Sequence, residues 1–209
     1  SIVEAFQRDY SWHNENGRDM GPSEILTQTF ILPTRLSANE LFYTDADGNF
    51  TGFDTELATA VCEKLGVEPE FVEINWDTKE TELAAKSIDC IWNGLTLTDD
   101  REENMACTKP YVKNAQVVVV KDGTDYTSTA DLIGKTVVAE AGSAGEAAII
   151  GEGADESLKQ AEYISAAKQT DTLLEVKTGA ADAAVLDFVL AGAMVGQGDY
   201  SDLMIIPNL

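Results

Sequence analysis

The sequence is short of positive charge. Its 209 residues include 14 Lys plus Arg against 37 Asp plus Glu, a formal net charge of −23. A surface of that sign repels phosphate backbones and anionic lipid headgroups, so nucleic acid is not an expected partner. Histidine occurs once, at His13, and cysteine three times, at Cys62, Cys90 and Cys107, with no CxxC spacing. A zinc cluster is not expected from that set, and no metal or cofactor site is assigned. Cys62 and Cys90 fall at apolar-patterned positions and read as buried thiols, with a bridge between them left open. The longest apolar run, "AAVLDFVLAGAMV" from Ala183, contains an aspartate and falls short of the roughly 20 residues of a spanning helix. No signal-peptide pattern is read, and such a segment is expected to have been removed. Arginine is scarce too: past residue 28 only Arg35 and Arg101 occur, while lysine is used freely.

What is present is an apolar content of 44%, enough for a proper core. Residues 1–28 are polar and interrupted by Gly and Pro, with a short helix near 2–9. From Thr29 the texture changes. "TFIL" reads as a buried strand, and "YTDADGNFTG" as a hairpin-like loop with Asp-Gly turn signals. "FDTELATAVCEKLG" is an amphipathic helix, with Phe53, Leu57, Val61 and Leu65 recurring every fourth residue, Asp54 as N-cap and Gly66 past its end. "EFVEI" is a strand, "DTKETELAAK" a helix with Asp77 and Glu80 at capping-box spacing, and "IDCIWN" a strand. The order then restarts with strands at "AQVVVV", "KTVVAE", "AEYISA", "DAAVL" and "DLMIIP". Helices at "STADLIG", "GSAGEAAII", "TDTLLEVKTG" and "DFVLAGAMV" alternate with them, and Leu173, Leu174 and Val176 are expected inward. Such alternation predicts α/β architecture with mostly parallel sheets flanked by helices. The expected division is an atypical segment at 1–28, a first lobe at 29–113 and a second at 114–209.

In open α/β sheets, ligands bind beyond the carboxyl ends of strands. The residues expected there are Trp76, then Asn93, Gly94, Thr96 and Arg101, then Ser143 and Ala144 at a helix start, then Asp187. That set suits a zwitterion. Arginine grips a carboxylate with two parallel hydrogen bonds, a helix start offers N–H groups, an aspartate takes an ammonium, and a tryptophan face excludes water. Each piece also has an ordinary reading. Asp187 can be an N-cap, Trp76 plain core, and Arg101 a surface ion pair of little worth. "GSAG" lacks the spacing of a nucleotide-binding loop.

The blocks "YTDADGNFTGFDTELATAVCEKLG", "SIDCIWNGLTLTDDREENMACTKPY", "DLIGKTVVAEAGSAGEAAI" and "ADAAVLDFVLA" resemble the extracellular amino-acid-binding proteins of ABC importers, the polar-amino-acid class, over about residues 29–209. The resemblance implies a two-lobed periplasmic-binding-protein-like fold and a non-enzymatic role. It implies an extracellular or periplasmic location, tethered as a lipoprotein in the full-length protein, and an ABC permease as partner. By the same likeness Arg101 holds the ligand α-carboxylate, helped by Thr96 and the backbone at Gly94. Ser143 and neighbouring N–H groups reach it from the second lobe, Asp187 holds the α-ammonium, and Trp76 lines the side-chain pocket. The acidic residues around Arg101 are expected to be solvated.

Two departures accompany the likeness. "PTRLSANELFY" has Ala38, Asn39 and Glu40 where the family has an aromatic and prolines. Family chains also continue beyond "IIPNL", so a shortened C-terminal part is expected, with apolar surface in the first lobe open to self-association. Arg35 follows the first strand, where a second guanidinium favours an acidic or uncharged polar ligand over a cationic one. Competing readings on the same scaffold are a cyclic-amino-acid dehydratase and the ligand-binding sensor domain of a receptor.

Overall fold

The computed structural model describes residues 29–34, 43–44, 50–207 and 209, with side chains described from Thr51 on. The helix expected near 2–9, His13, Arg35 and residues 38–40 lie outside the described residues.

Strand β1 (Thr29–Thr34) pairs in parallel with β4 (Glu68–Glu73), and β2 (Tyr43–Thr44) pairs antiparallel with β3 (Phe50–Thr51), the expected hairpin. Helix α1 (Phe53–Leu65) follows. Ala58, Val61 and Cys62 form its inner face, and Gly66 ends it in the left-handed conformation. Its N-cap is Gly52, not Asp54. Asp54 lies two positions past the cap, and its carboxylate turns inward instead. A short 3-10 turn (Trp76–Thr78) leads into α2 (Lys79–Ala84). Here Asn75 accepts from the Asp77 N–H at 3.0 Å, so the expected Asp77–Glu80 capping box is not used. The earlier asparagine starts the turn before Asp77 can.

"IDCIWN" is not a strand among the described residues. Ile88, Cys90 and Trp92 do alternate inward and are buried, Cys90 and Trp92 in one cluster with α1 residues. The period-two signal is therefore real, but it reflects packing of an extended segment and not a backbone ladder. Helix α3 (Asp99–Asn104) is a single short turn capped by Thr98, whose side chain accepts from the Arg101 N–H at 3.4 Å.

The rest builds one mixed sheet of five strands in the order β7-β6-β8-β5-β9: β5 (Gln116–Lys121), β6 (Thr136–Glu140), β7 (Glu162–Ala166), β8 (Ala183–Asp187) and β9 (Leu203–Ile205). β6 runs parallel to β7 and β8, while β5 is antiparallel to both β8 and β9. Helices α4 (Ala144–Ile150), α5 (Gln169–Thr178) and α6 (Phe188–Met194) cover it. Both faces are buried. Val119, Val138, Ala184 and Leu186 pack on one side with Leu173, Val176 and Leu190, while Val118, Val120, Val137 and Val185 pack on the other with Leu132 and Ile149. This explains runs such as "QVVVVK", which are apolar without alternation. Leu174, expected inward, is exposed, because Leu173 and Val176 already fill the inner stripe of α5 and a neighbour one residue away points about 100° off.

Candidate functional site

Arg101 is nine-tenths buried, unlike the exposed carboxylates Asp99, Asp100, Glu102 and Glu103 beside it in sequence. Its backbone is set by the Thr98 cap. Its guanidinium donates to the Thr96 carbonyl at 2.6 Å and to the Gly142 carbonyl at 3.4 Å, and its Nε lies 3.6 Å from a Glu80 carboxylate oxygen. The contact with Gly142 joins the chain near residue 100 to the turn that follows β6. Lys79 reaches the same point. Its buried ammonium donates to the Gly142 carbonyl at 2.9 Å and to the Trp76 carbonyl at 3.1 Å, and it stands 5.0 Å from the Trp76 ring centre. Gly142 itself has φ +68°, and a Cβ on it would lie 2.8 Å from the Asp77 Cα. Only glycine fits that approach.

The turn is also held from behind. Glu146 accepts from the Gly142 N–H at 3.3 Å and from the Tyr163 hydroxyl at 2.5 Å, and its own N–H donates to Ser143 Oγ at 3.1 Å. Ser143 is thus the N-cap of α4, with Ala144 the first helical residue. Gly145 lets α4 sit on β8, since a Cβ there would come 2.5 Å from the Val185 carbonyl.

Asp187 ends β8 and precedes α6, but its side chain makes no capping bond. Asn114 caps instead, its Oδ1 accepting from the Val189 N–H at 3.3 Å. The Asp187 carboxylate accepts from the side-chain amides of Asn114, Gln116 and Gln169 at 2.8, 2.7 and 2.6 Å. Trp76 is buried, as either reading of it requires.

Asn93 is buried, Gly94 and Thr96 are half-buried, and all three line a cavity of about 320 Å³ together with Asp54 and Tyr111. Asp54, fully buried, accepts from the Tyr111 hydroxyl at 2.8 Å and from the Gly94 N–H at 3.4 Å. Burial pushes the Asp54 carboxyl above its usual range in spite of those two bonds. Burial of the hydroxyl, with the charge of Asp54 beside it, pushes Tyr111 up as well. A second cavity of about 340 Å³ lies beside Trp76, between Glu73 at the end of β4 and Glu140 and Lys168 at the ends of β6 and β7. The Lys168–Glu73 pair at 3.1 Å joins its two walls. Cys62 and Cys90 are free thiols in the same core cluster, and burial raises both.

Arg101 and the Ser143–Ala144 turn therefore meet at one peptide, and Asp187 is tied to the start of α4 through Gln116, whose amide oxygen lies beside Gly145. Sequence reasoning missed Lys79, Asp54, Tyr111 and the three amides around Asp187. Lys79 stands three residues after Trp76, and Gln169 opens a helix, both visible in the sequence; nothing local marks their partners.

A two-lobed ligand-binding protein of the periplasmic type is what the paired α/β sheets and the strand-end residues define. Residues 33–190 match the bacterial extracellular solute-binding proteins, family 3, and the chain belongs to that family. It is 35% identical over 140 residues to YxeM, a probable amino-acid-binding protein of Bacillus subtilis (strain 168), covering 66% of this chain and 52% of YxeM. It is 27% identical over 194 residues to ArtP, an arginine-binding extracellular protein of the same organism, covering 92% of this chain and 74% of ArtP. Among solved structures, the arginine-bound form of a truncated ArgBP from T. maritima superposes with a TM-score of 0.77 at 33% identity, covering 88% of this chain and 84% of that one. The sequence thus spans about half of YxeM and most of the other two. ArtP and ArgBP are both tied to arginine, so the expected preference for acidic or uncharged ligands finds no support in them. Arg35, on which that preference rested, lies outside the described residues. No helix among the described residues is long and apolar enough to cross a membrane.

Proposed function

We propose that this chain binds a free α-amino acid in the cleft between its lobes and presents it to an ABC permease outside the cell, as a transport component and not a catalyst. Arg101 takes the α-carboxylate, with the Asn93–Thr96 segment and the Ser143–Ala144 turn alongside. Asp187 takes the α-ammonium, and Trp76 borders the side chain. The observation that carries this reading is the burial of Arg101. A guanidinium withdrawn from water, and held by backbone carbonyls from both sides of the cleft, is placed to exchange those acceptors for a carboxylate that it grips bidentately. Arginine is the first ligand to test. Two relatives are tied to it, and the cavity beside Trp76 is lined by Glu140 and by Glu73, whose present partner is Lys168.

Calorimetric titration with the twenty amino acids checks the proposal. One or a few should give saturable heat with no continuing signal after saturation. Arg101→Ala should weaken that ligand by roughly 30- to several-thousand-fold, the consequence of losing about 2–5 kcal/mol from a buried charge pair. Near-normal affinity in Arg101→Ala would sink the assignment, and continuing heat would favour an enzyme.

A further inference from the structure

The carboxylate of Asp187 sits in a cage of three primary amides drawn from two parts of the chain, the entry to β5 and the start of α5. Oδ1 accepts from Asn114 Nδ2 at 2.8 Å and from Gln116 Nε2 at 2.7 Å, and Oδ2 accepts from Gln169 Nε2 at 2.6 Å. Gln169 also closes a two-point clasp, since its Oε1 accepts from the Asp187 N–H at 3.2 Å. Gln169 is buried at the start of α5, so its rotamer is fixed by packing.

Gln116 shows what the cage is arranged for. Its Oε1 is buried with no hydrogen-bond donor among the described residues, close to where a Cβ on Gly145 would stand. An unmet buried acceptor is destabilising. Turning the amide round would set its oxygen against the carboxylate, so Gln116 leaves one atom unsatisfied in order to donate to Asp187.

The choice of amides has a chemical consequence. A lysine or arginine in these places would neutralise Asp187, whereas amides orient the carboxylate and leave its negative charge whole. An ionised carboxylate has about four acceptor positions, so three amide donors leave room for one more. A single open position on an oriented, uncompensated carboxylate fits one N–H of an ammonium.

We propose that Gln169 and Gln116 are positioning residues that hold the Asp187 carboxylate, charge intact, for the α-ammonium of the bound amino acid. The inference rests on the proposed function. Both glutamines act through Asp187.

Gln169→Met and Gln116→Met keep side-chain length and remove the donors. L-arginine and 5-guanidinopentanoic acid, its analogue without the α-amino group, are titrated into the full chain and each variant; should the amino-acid screen select another acid, that acid and its own des-amino analogue serve. Each variant should weaken the amino acid by about tenfold or more, as expected when a bond orienting a charged group is lost, and leave the analogue within about twofold. In a double-mutant cycle, Gln169→Met should add little to Asp187→Asn. Equal losses for both ligands, full additivity in the cycle, or no loss for the amino acid would overturn the positioning role. Unchanged affinity in Asp187→Asn would overturn the proposed function and the cage's role together, whereas a large loss there with no effect of Gln169→Met overturns the cage alone. Thermal melts of both variants separate misfolding from weakened binding, and Gln116, half-exposed, is the safer of the two sites to change.

Discussion

The half of the molecule up to Val112 and the half from Ala115 onward use the same kinds of element but hold them very differently. The second half has five strands in one sheet with apolar clusters on both faces. The first, among the described residues, has a two-stranded parallel pair, a two-stranded hairpin and one small cluster of Ala58, Val61, Cys62, Val67, Cys90 and Trp92. Its residues also form most of the lining of the 320 Å³ cavity. The proposed ligand groups follow this division. Asp187 and Ser143 stand at the ends of strands that are buried on both faces, whereas Asn93, Gly94, Thr96 and Arg101 stand on an extended segment and one short turn of helix. Low contact density makes a region open first. Among the described residues, the second half is therefore the more densely packed platform of the proposed site.

The contrast can be broken at its strong end. Leu173→Ala empties a fully buried position beneath the second sheet and should cost about 2–5 kcal/mol. Chemical denaturation should show that loss across the second half. A loss under about 1 kcal/mol would mean that this half is no better packed than the first.

The join between the halves comes next. Gly142→Ala forces a side chain into positive φ and against the Asp77 backbone, about 1–3 kcal/mol from the backbone conformation alone, before the clash. It should loosen the Lys79 and Arg101 contacts to that carbonyl, and should lower ligand affinity more than it lowers the melting of either half. A small-angle scattering profile unchanged from the parent, with unchanged affinity, would show that the turn does not connect the halves.

Within the first half, Tyr111→Phe strands one oxygen of the buried Asp54 carboxylate. The expected cost is about 1–2 kcal/mol, seen as faster hydrogen exchange in α1 and around Gly94 while β5–β8 stay protected. Uniform acceleration in both halves would contradict the separation.

The smallest effect is in acid, and its sign differs between the halves. Asp54 has a raised native pKa, so it holds its proton more tightly when folded. Its contribution favours the native state below that value and is lost as pH rises through it. Asp131 and Asp155 have lowered native pKa values, chiefly from the N–H groups of Thr127 and Ser157. Their contribution is present above the ordinary value of 3.8 and is lost as pH falls through the lowered values. Acidification should therefore erode protection around Thr127–Leu132 and Asp155–Leu158 before it erodes protection around Asp54. Hydrogen exchange corrected for its intrinsic pH dependence tests this, and parallel loss in both places would refute it.

The sequence by itself determined most of the element order, most of the core and the family. Those signals are local: β-branched runs buried on both faces, the four-residue recurrence along α1, a glycine past its end, and short blocks of recognisable spacing. It also singled out Arg101 by its scarcity and Asp187 by its place at the end of an apolar run, both of which can be read along the chain. Only the tertiary structure decided what those side chains touch. Lys79 meets Gly142 across 63 residues and Gln116 meets Asp187 across 71, and no periodicity encodes such pairs. The same holds for β5, which runs antiparallel between β8 and β9 although the alternation of strands and helices predicts parallel neighbours. Asp54 fits this rule as well: two residues of offset from Gly52 turned an expected cap into a buried carboxylate, and its partner lies 57 positions away at Tyr111. Backbone propensity is a property of neighbours in sequence. Desolvation and hydrogen-bond pairing are properties of neighbours in space, and those exist only once the chain has closed on itself.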